Sequence, residues 1–387
     1  MAKANGIISR FFVVGNNYMQ QKLLFPIVLI ALVLFSWLGN TFGTKWVVMS
    51  IIGFGLGFTL SFSRFGIVFG WREMLTQKNS YYVRIHLLTI AIEILLFTIC
   101  LSFSHSLFGD KMTGNIMAIS IPFIAGAFLF GIGMQLAGCC ASGTLYCCGE
   151  GRPRFWIVLL FYGIGTLIGN SFKHELSSIF PGHIVTVKDL TGNLWTGMLV
   201  NLLFVGLLYI FFCHIERKKT GQLTSIFTSG SLFWKNSHFT VLSGGIIIAI
   251  LNSSIVAIHG SAWTITGAIY ESALHISSFF GFFDGNPKLA KPLFLNPMVG
   301  MFAAGLLGAA FSACLLRERN RTPITIQNTL AGIIGGLLMG CGGAYAACNL
   351  GGFFDGTASG SVHGWLWMLM ALCGSLIGIR LRKLFRI

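Results

Sequence analysis

Apolar residues occur along the 387-residue chain in long continuous runs separated by short polar connections. The runs lie at 24–41, 47–70, 86–104, 116–136, 155–170, 194–213, 239–258, 298–316, 330–347 and 365–379. About 20 apolar residues cross a bilayer as a helix, and these runs lack the apolar–polar alternation of barrel strands. The pattern therefore predicts an all-α polytopic membrane protein with about nine to ten transmembrane helices.

Two segments depart from this pattern. The stretch 263–283 is less apolar and contains Glu271 and His275, which favours a broken or re-entrant helix. The stretch 351–364 is rich in Gly and Ser and lacks Lys and Arg, and we interpret it as a polar connection. Irregular backbone at membrane depth occurs only inside protein or beside a cavity. We therefore expect short re-entrant helices in addition to the long spans.

Composition and charge agree with a membrane protein. Hydrophobic residues make up 55% of the chain and charged residues 10%, and the mean hydropathy is +0.79. The net charge of +15 comes from basic residues beside the ends of apolar runs, as in cytoplasmic loops, so no nucleic-acid partner is needed to explain it. Lys3 and Arg10 place the N-terminus in the cytoplasm, and Arg382 and Lys383 place the C-terminus there. We expect a multi-pass protein of the cell inner (cytoplasmic) membrane, with the lipid bilayer around it.

A short sequence repeat suggests internal duplication. Gly165-Thr-Leu-Ile-Gly169 recurs as Gly374-Ser-Leu-Ile-Gly378, and similarity at a fixed spacing is typical of repeated structural units. The charge bias orients the two copies in opposite directions through the membrane, as in transporters built from two inverted repeats. The predicted organisation is an N-terminal cytoplasmic segment with an extra transmembrane helix, a first transporter half, a cytoplasmic linker and a second transporter half, at 1–45, 46–219, 220–237 and 238–387.

The segment 131–150 contains four of the ten cysteines and five glycines. Successive backbone N–H groups of a Gly-rich turn form a concave anion site, a half-helix N-terminus adds positive potential, and thiols and hydroxyls donate further hydrogen bonds. A similar turn surrounds Cys348. The substrate-binding residues predicted from these turns and their surroundings are Gly138, Cys140, Ser142, Gly143, Thr144, Cys348, Asn349, Gly351 and Arg64.

Several alternatives stay open for these residues. The Gly-rich turns can serve as small-residue packing surfaces between helices. The cysteine pairs at 139–140 and 147–148 can gather around zinc or copper, but zinc ligands are usually spaced Cys-x2–4-Cys, so no metal and no cofactor is expected.

Arg64 either attracts anions or extends its charge to the interface. Glu93, inside an apolar run, is expected to pair with a neighbour such as an arginine, with a proton-carrying role as the alternative. No catalytic triad or carboxylate pair indicates an enzyme.

Three segments resemble the YeeE/YedE sulphur-transport family. They are GIGMQLAGCCASGTLY at 131–146, RFGIVFGWRE at 64–73, and CNLGG at 348–352 with ASGSVHGW at 358–365. The resemblance implies a helical inner-membrane protein in which short helices of both halves meet at a central constriction. It also implies that cysteines line the path and pass a small anion along, with Cys140 and Cys348 as the motif cysteines. Characterised members take up thiosulfate, and others are associated with selenium.

Three features depart from the family pattern. Gly66 stands where thiosulfate importers have a cysteine, and Cys139 stands where a glycine is usual. The second motif is one residue shorter than its family counterpart and has Ala346-Ala347 in place of a glycine pair. These departures leave the identity of the anion open.

The functional expectation is a permease for a small sulfur-containing anion of the thiosulfate type, which contacts Cys140 and Cys348 in turn. The alternatives are a permease for a selenium compound or a soft metal ion, and a non-transporting membrane partner of a sulfur-handling enzyme. A cytoplasmic sulfur-carrier protein is a further expected partner.

Overall fold

The computed structural model describes residues 23–227, 234–235, 238–316 and 324–387. The N-terminal residues Lys3 and Arg10, part of the expected linker (228–233 and 236–237) and the basic residues at 317–321 lie outside the described residues. The first part of the chain forms the helices α1 Leu24–Phe42, α2 Thr44–Phe62, α3 Ile67–Gln77, α4 Tyr81–Leu101, α5 Ile121–Ala137, α6 Ala141–Gly149, α7 Pro153–Ser171, α8 Lys173–Ile179, α9 Val187–Thr191 and α10 Leu194–Thr220.

The second part begins with two short strands, β1 Trp234–Lys235 and β2 His238–Phe239, which pair antiparallel. The helices that follow are α11 Val241–His259, α12 Ile265–Ser278, α13 Pro297–Leu316 and α14 Ile326–Ala346, with two 3-10 turns at Pro287–Ala290 and Leu293–Leu295 before α13. A π-helix at Asn349–Asp355 continues directly into α15 Gly356–Ala358, and α16 Val362–Leu384 ends the fold.

Within the described part of the chain, ten helical segments are long and apolar enough to cross a membrane. The prediction of an all-α polytopic membrane protein is confirmed. The outermost helices show how the bundle meets lipid: α1 buries only Ala31 and Leu38. Helix α10 buries one stripe of residues and leaves its other face apolar and exposed. That exposed face consists of Leu199, Val200, Leu203, Phe204, Leu207, Ile210 and Phe211.

Two of the segment predictions were wrong in detail. The run 47–70 was expected to be one helix, but α2 ends at Phe62 and α3 begins at Ile67. Arg64 turns the chain there in the left-handed conformation, with φ 54°. The apolar run continues through this break, so hydropathy alone could not locate it. The stretch 351–364 was expected to be a polar connection, but most of it is helical and nearly all of it is buried.

The two halves of the bundle meet at α5 and α14, which cross in opposite directions. A Cβ atom at Gly126 would lie 2.7 Å from the carbonyl oxygen of Gly342, and one at Gly133 would lie 2.7 Å from that of Gly335. Real Cβ atoms do not approach that closely, so each of these contacts requires glycine. Small residues let helix backbones pack closely in lipid, where burial from water supplies no driving force.

The repeated Gly-x-x-x-Gly sequence lies on α7 and α16 and makes equivalent contacts with opposite halves. Gly165 of α7 packs against the carbonyl of Leu337 on α14, and Gly374 of α16 packs against that of Phe128 on α5. Gly374 lies as many residues after Gly165 as Leu337 lies after Phe128. The two halves therefore exchange equivalent contacts about antiparallel central helices, which is the geometry of an inverted repeat.

Candidate functional site

The first cysteine turn joins α5 to α6. Helix α5 ends at Ala137, and Gly138 reverses the chain with φ 80°, a conformation that favours glycine. Cys140 is the N-cap of α6 in an extended conformation, and its Sγ accepts a hydrogen bond from the N–H of Gly143 at 3.4 Å. The sulfur thus takes the place that a Ser or Asp oxygen usually occupies at a helix start.

Hydroxyl groups surround this sulfur. Ser142 Oγ lies 3.3 Å from the Sγ of Cys140, and Thr144 Oγ1 donates to the carbonyl of Cys140 at 2.8 Å. Thr144 Oγ1 also lies 3.0 Å from the Sγ of Cys139. The five predicted residues of this region, from Gly138 to Thr144, therefore belong to one turn and the first turn of α6.

The second cysteine turn joins α14 to the π-helix. Helix α14 ends at Ala346, Ala347 reverses the chain with φ 58° and ψ −168°, and Cys348 is the extended N-cap. The backbone N–H groups of Leu350 and Gly351 lie near the sulfur of Cys348, as those of Ser142 and Gly143 lie near that of Cys140, but only Cys140 accepts a capping hydrogen bond on its side chain. One linking residue is present here where the first turn has two, which accounts for the shorter second motif.

Two further predicted residues line the second turn. Asn349 is buried, and its Oδ1 has no hydrogen-bond partner among the described residues. The carbonyl of Gly351 accepts a hydrogen bond from Asn115 Nδ2 at 2.6 Å. Asn115 lies in the connection between α4 and α5, so this contact holds the second turn against the first half of the chain.

The two cysteine turns lie near each other. The Cys140 and Cys348 thiols are close enough to interact electrostatically, and Tyr162 of α7 is within the same range of both. Tyr162 Oη lies 2.7 Å from Thr266 Oγ1 at the start of α12. Cys140 is 3% exposed and Cys348 is fully buried, so neither thiol is open to solvent in this conformation. Tyr162 was not predicted as a site residue, because a lone tyrosine in an apolar run carries no signal of a site.

Arg64 lies away from the two cysteine turns. Its guanidinium lies 2.9 Å from Glu150 Oε1, at the opposite end of α6 from Cys140, and Ser61 Oγ donates to the same oxygen at 2.8 Å. Arg152 lies 2.7 Å from Glu150 Oε2. Arg64 therefore joins the break between α2 and α3 to the end of α6, and Glu150 offsets its charge.

Two arginines that were not predicted as site residues lie beside the first turn. Arg154 donates to the carbonyl of Ala137 at 3.1 Å, and Arg382 donates to that of Gln135 at 2.7 Å. A Cβ atom on Gly138 would lie 3.7 Å from the Nη1 of Arg154 and 3.9 Å from that of Arg382. Cations at the C-terminus of a helix satisfy its free carbonyls and oppose its dipole. Here they also place positive charge at the first cysteine turn.

The second turn has a matching cation. Lys173, two residues past α7, donates from Nζ to the carbonyl of Ala344 on α14 at 2.8 Å. The spacing between Lys173 and Arg382 equals that between Gln135 and Ala344. Both cysteine turns therefore combine a sulfur, the N–H groups of a helix start and a basic side chain, a set of groups that suits a small anion.

Metal binding by the cysteine pairs was the alternative for the segment 131–150. Across residues 23–227, 234–235, 238–316 and 324–387, no group of three or more His, Cys, Asp or Glu side chains is arranged to hold a metal ion. All four cysteines of the segment 131–150 are buried free thiols.

Comparison with known proteins gives one family and several relatives. A family model described as sulphur transport matches residues 62–377. The thiosulfate transporter TsuA of Spirochaeta thermophila is 28% identical over 84% of this chain and 95% of its own length. The thiosulfate transporter TsuA of Escherichia coli is 26% identical over 84% of this chain and 91% of its own length. The probable transporter YedE of Escherichia coli is 29% identical over 40% of this chain and 41% of its own length.

Proposed function

Because the chain belongs to the sulphur transport family, we propose that it is a permease for a small sulfur-containing anion of the thiosulfate type. The expectations of this family and of a transporter rather than an enzyme are confirmed. The substrate is proposed because both relatives that align with most of this chain are named thiosulfate transporters.

The observation that carries the proposal is the pair of cysteine-capped turns. Each turn presents a sulfur above the N–H groups of a helix start, and the two halves reach this arrangement through equivalent contacts. A thiosulfate-like anion carries oxygens that accept hydrogen bonds and a soft sulfur that suits contact with thiols. Weak S–H donors replace water around the ion without holding it so tightly that release is slow.

The transport path runs through the two turns in succession. Residues Gly138, Cys140, Ser142, Gly143 and Thr144 contact the anion on one side of the constriction, and Cys348, Asn349 and Gly351 contact it on the other. Arg64 draws anions towards the break between α2 and α3, with its charge partly offset by Glu150. Since both thiols are buried, passage requires the halves to move apart at the turns.

The membrane arrangement follows from the distribution of basic residues. The end of the bundle that holds Arg152, Arg154 and Arg382 faces the cytoplasm of the cell inner membrane, and both chain termini lie on that side. The halves at 46–219 and 238–387 are the two repeats, joined by the linker at 220–237. A cytoplasmic sulfur-carrier protein receives the anion at this face.

A growth experiment tests the proposed function. The chain is expressed in a bacterial strain that lacks its own thiosulfate and sulfate importers, and the sole sulfur source is thiosulfate, sulfite or sulfate. Growth on thiosulfate is expected. If protein is present in the membrane fraction and no sulfur source restores growth, the permease is wrong and the non-transporting partner becomes the better explanation. A selenium compound is tested in the same cells by uptake of the labelled compound.

A further inference from the structure

Two carboxyl groups and an amide meet in the interior of the bundle, away from the cysteine turns. Asn252 Nδ2 on α11 lies 3.1 Å from Glu93 Oε1 on α4 and 2.5 Å from Asp355 Oδ1 at the end of the π-helix. All three side chains are fully buried. The partners of Glu93 are thus an amide and a second acid, and the expected arginine is absent from its described contacts.

The hydrogen bonds of this cluster are incomplete. Glu93 Oε2, Asp355 Oδ2 and Asn252 Oδ1 are each buried without a hydrogen-bond partner in the described part of the chain. The amide donates one hydrogen bond to each carboxyl group. Two carboxyl oxygens that can take up a proton or bind a cation, and one amide oxygen that can bind a cation, are left over. Leaving such groups unpaired in an apolar interior costs several kcal/mol.

The titratable groups around the cluster supply no counter-charge. His86 on α4 packs against the rings of Phe65 and Phe354, and neither of its ring nitrogens has a described partner. His363 on α16 packs against Gly356, and its Nδ1 lies 2.7 Å from Ser361 Oγ.

The charged groups of the adjoining helices are engaged elsewhere. On α10, Glu216 pairs with Arg84 of α4 at 3.2 Å. On α11, His259 interacts with Lys45 and Asp110 at the far end of that helix. No described Lys, Arg or His forms a salt bridge with Glu93 or Asp355. Two ionised carboxyl groups so close together in a low dielectric are strongly unfavourable, so the cluster needs protons or a bound cation.

The cluster is connected to the second cysteine turn through one helical segment. Cys348 caps the start of the π-helix and Asp355 ends it, and the two side chains interact electrostatically. An anion at Cys348 would repel an ionised Asp355. Cation binding at the cluster and anion binding at the turn therefore favour each other, and this coupling must act in both directions.

We propose that Glu93, Asn252 and Asp355 form a cation site, filled by protons or by a sodium ion, whose occupant moves together with the transported anion. This inference rests on the proposed function, because the anion is placed at Cys348. The site neutralises the charge that an anion brings into the bundle, which makes the protein a cation–anion symporter.

Reconstituted vesicles test the inference on the full chain. Purified protein in liposomes is given labelled thiosulfate with a tenfold inward gradient of either protons or sodium ions. The coupled gradient is expected to raise the final accumulation ratio of thiosulfate about tenfold for each cation that moves in an electroneutral cycle. The proton arm and the sodium arm identify the cation. An internal pH dye or labelled sodium should also report cation entry when thiosulfate is added to wild-type vesicles.

Two substitutions connect the effect to the cluster. Glu93→Gln and Asp355→Asn should lose the gradient response and keep gradient-free exchange of labelled for unlabelled thiosulfate. The matched controls Glu175→Gln and Asp284→Asn alter exposed carboxylates and should retain both properties.

The possible outcomes separate this inference from the proposed function. Wild-type uptake that ignores both gradients, or cluster variants that keep the full gradient response, would overturn the cation site and leave the permease intact. Absence of uptake under every condition would contradict the proposed function and remove the basis of the cation site with it. Cation entry in wild-type vesicles decides the question even if the variants fail to fold.

Discussion

The guanidinium of Arg382 donates a hydrogen bond of 2.7 Å to the backbone carbonyl of Gln135. Arg382 belongs to the last helix of the second half, and Gln135 lies near the end of the helix that leads to Cys140. Lys173 makes the equivalent contact with Ala344 at 2.8 Å. Each half therefore completes the helix end that precedes the cysteine turn of the other half. The arrangement makes the two turns interdependent.

Arg382→Gln removes positive charge from the first turn while keeping a side chain that can donate a hydrogen bond. We expect an about fivefold higher KM for the anion, equivalent to about 1 kcal/mol of lost attraction at a helix terminus. Initial-rate uptake measures this value. Lys383→Gln is the control, because Lys383 is exposed on the same helix. Equal KM values for the two variants would show that the Arg382 charge does not act on the anion.

Gly66→Cys tests the meaning of the missing family cysteine. A Cβ atom at Gly66 would lie 3.6 Å from Tyr146 Oη, an ordinary contact, and the backbone φ of −131° suits any residue. The variant should fold normally and transport thiosulfate faster, because a third thiol joins the path beside α6. Gly206→Cys is the matched control, since a Cβ there has no neighbour within 4 Å. An unchanged rate in a variant whose new thiol is present would show that position 66 takes no part in transport.

Ala347→Gly should stabilise the protein. Ala347 has φ 58° and ψ −168°, a region that is essentially restricted to glycine and costs about 1–3 kcal/mol for other residues. Relief of this strain should raise the thermal unfolding temperature in detergent. Ala346→Gly, one residue earlier at the end of α14, should lower that temperature, because it removes a fully buried methyl group. Shifts in the same direction for both variants would contradict the strain at Ala347.

Glu216→Gln should strongly destabilise the fold. The side chains of Glu216 and Arg84 are each 1% exposed and form an ion pair at 3.2 Å, and Glu216 Oε1 also accepts from the Thr224 hydroxyl at 2.6 Å. Removing one charge leaves the other buried and unpaired, at a cost of about 3–5 kcal/mol. Chemical or thermal unfolding measures the loss. The double variant Arg84→Met, Glu216→Leu should recover much of it. A single variant as stable as wild type would show that the pair is solvated.

The sequence predicted the spans because apolar run length is directly tied to bilayer thickness. The repeated Gly-x-x-x-Gly sequence was recognisable because Gly165 and Gly374 each pack against a facing carbonyl, where a Cβ atom does not fit. The break between α2 and α3 was missed, because its turn depends on the conformation of Arg64 and not on a polar interruption.

The buried acid at Asp355 was also missed. Its segment is rich in Gly and Ser and has no long apolar run, so it gave no sign of membrane depth. Only the fold brings Asp355 to Asn252 and Glu93, which are distant in sequence. The two cysteine turns were recognisable because glycine and cysteine together interrupt apolar runs. The basic side chains that serve these turns come from other helices, so their role could not be identified without the structure.

Thiosulfate uptake into vesicles by wild type and by Cys140→Ala and Cys348→Ala tests the central claim most directly. Cys373→Ala is the control, because Cys373 is exposed on α16. The account predicts rapid uptake by wild type and the control, and loss of most of the uptake in both turn variants at equal protein content. Wild-type rates in Cys140→Ala and Cys348→Ala would contradict passage of the anion through the two cysteine turns.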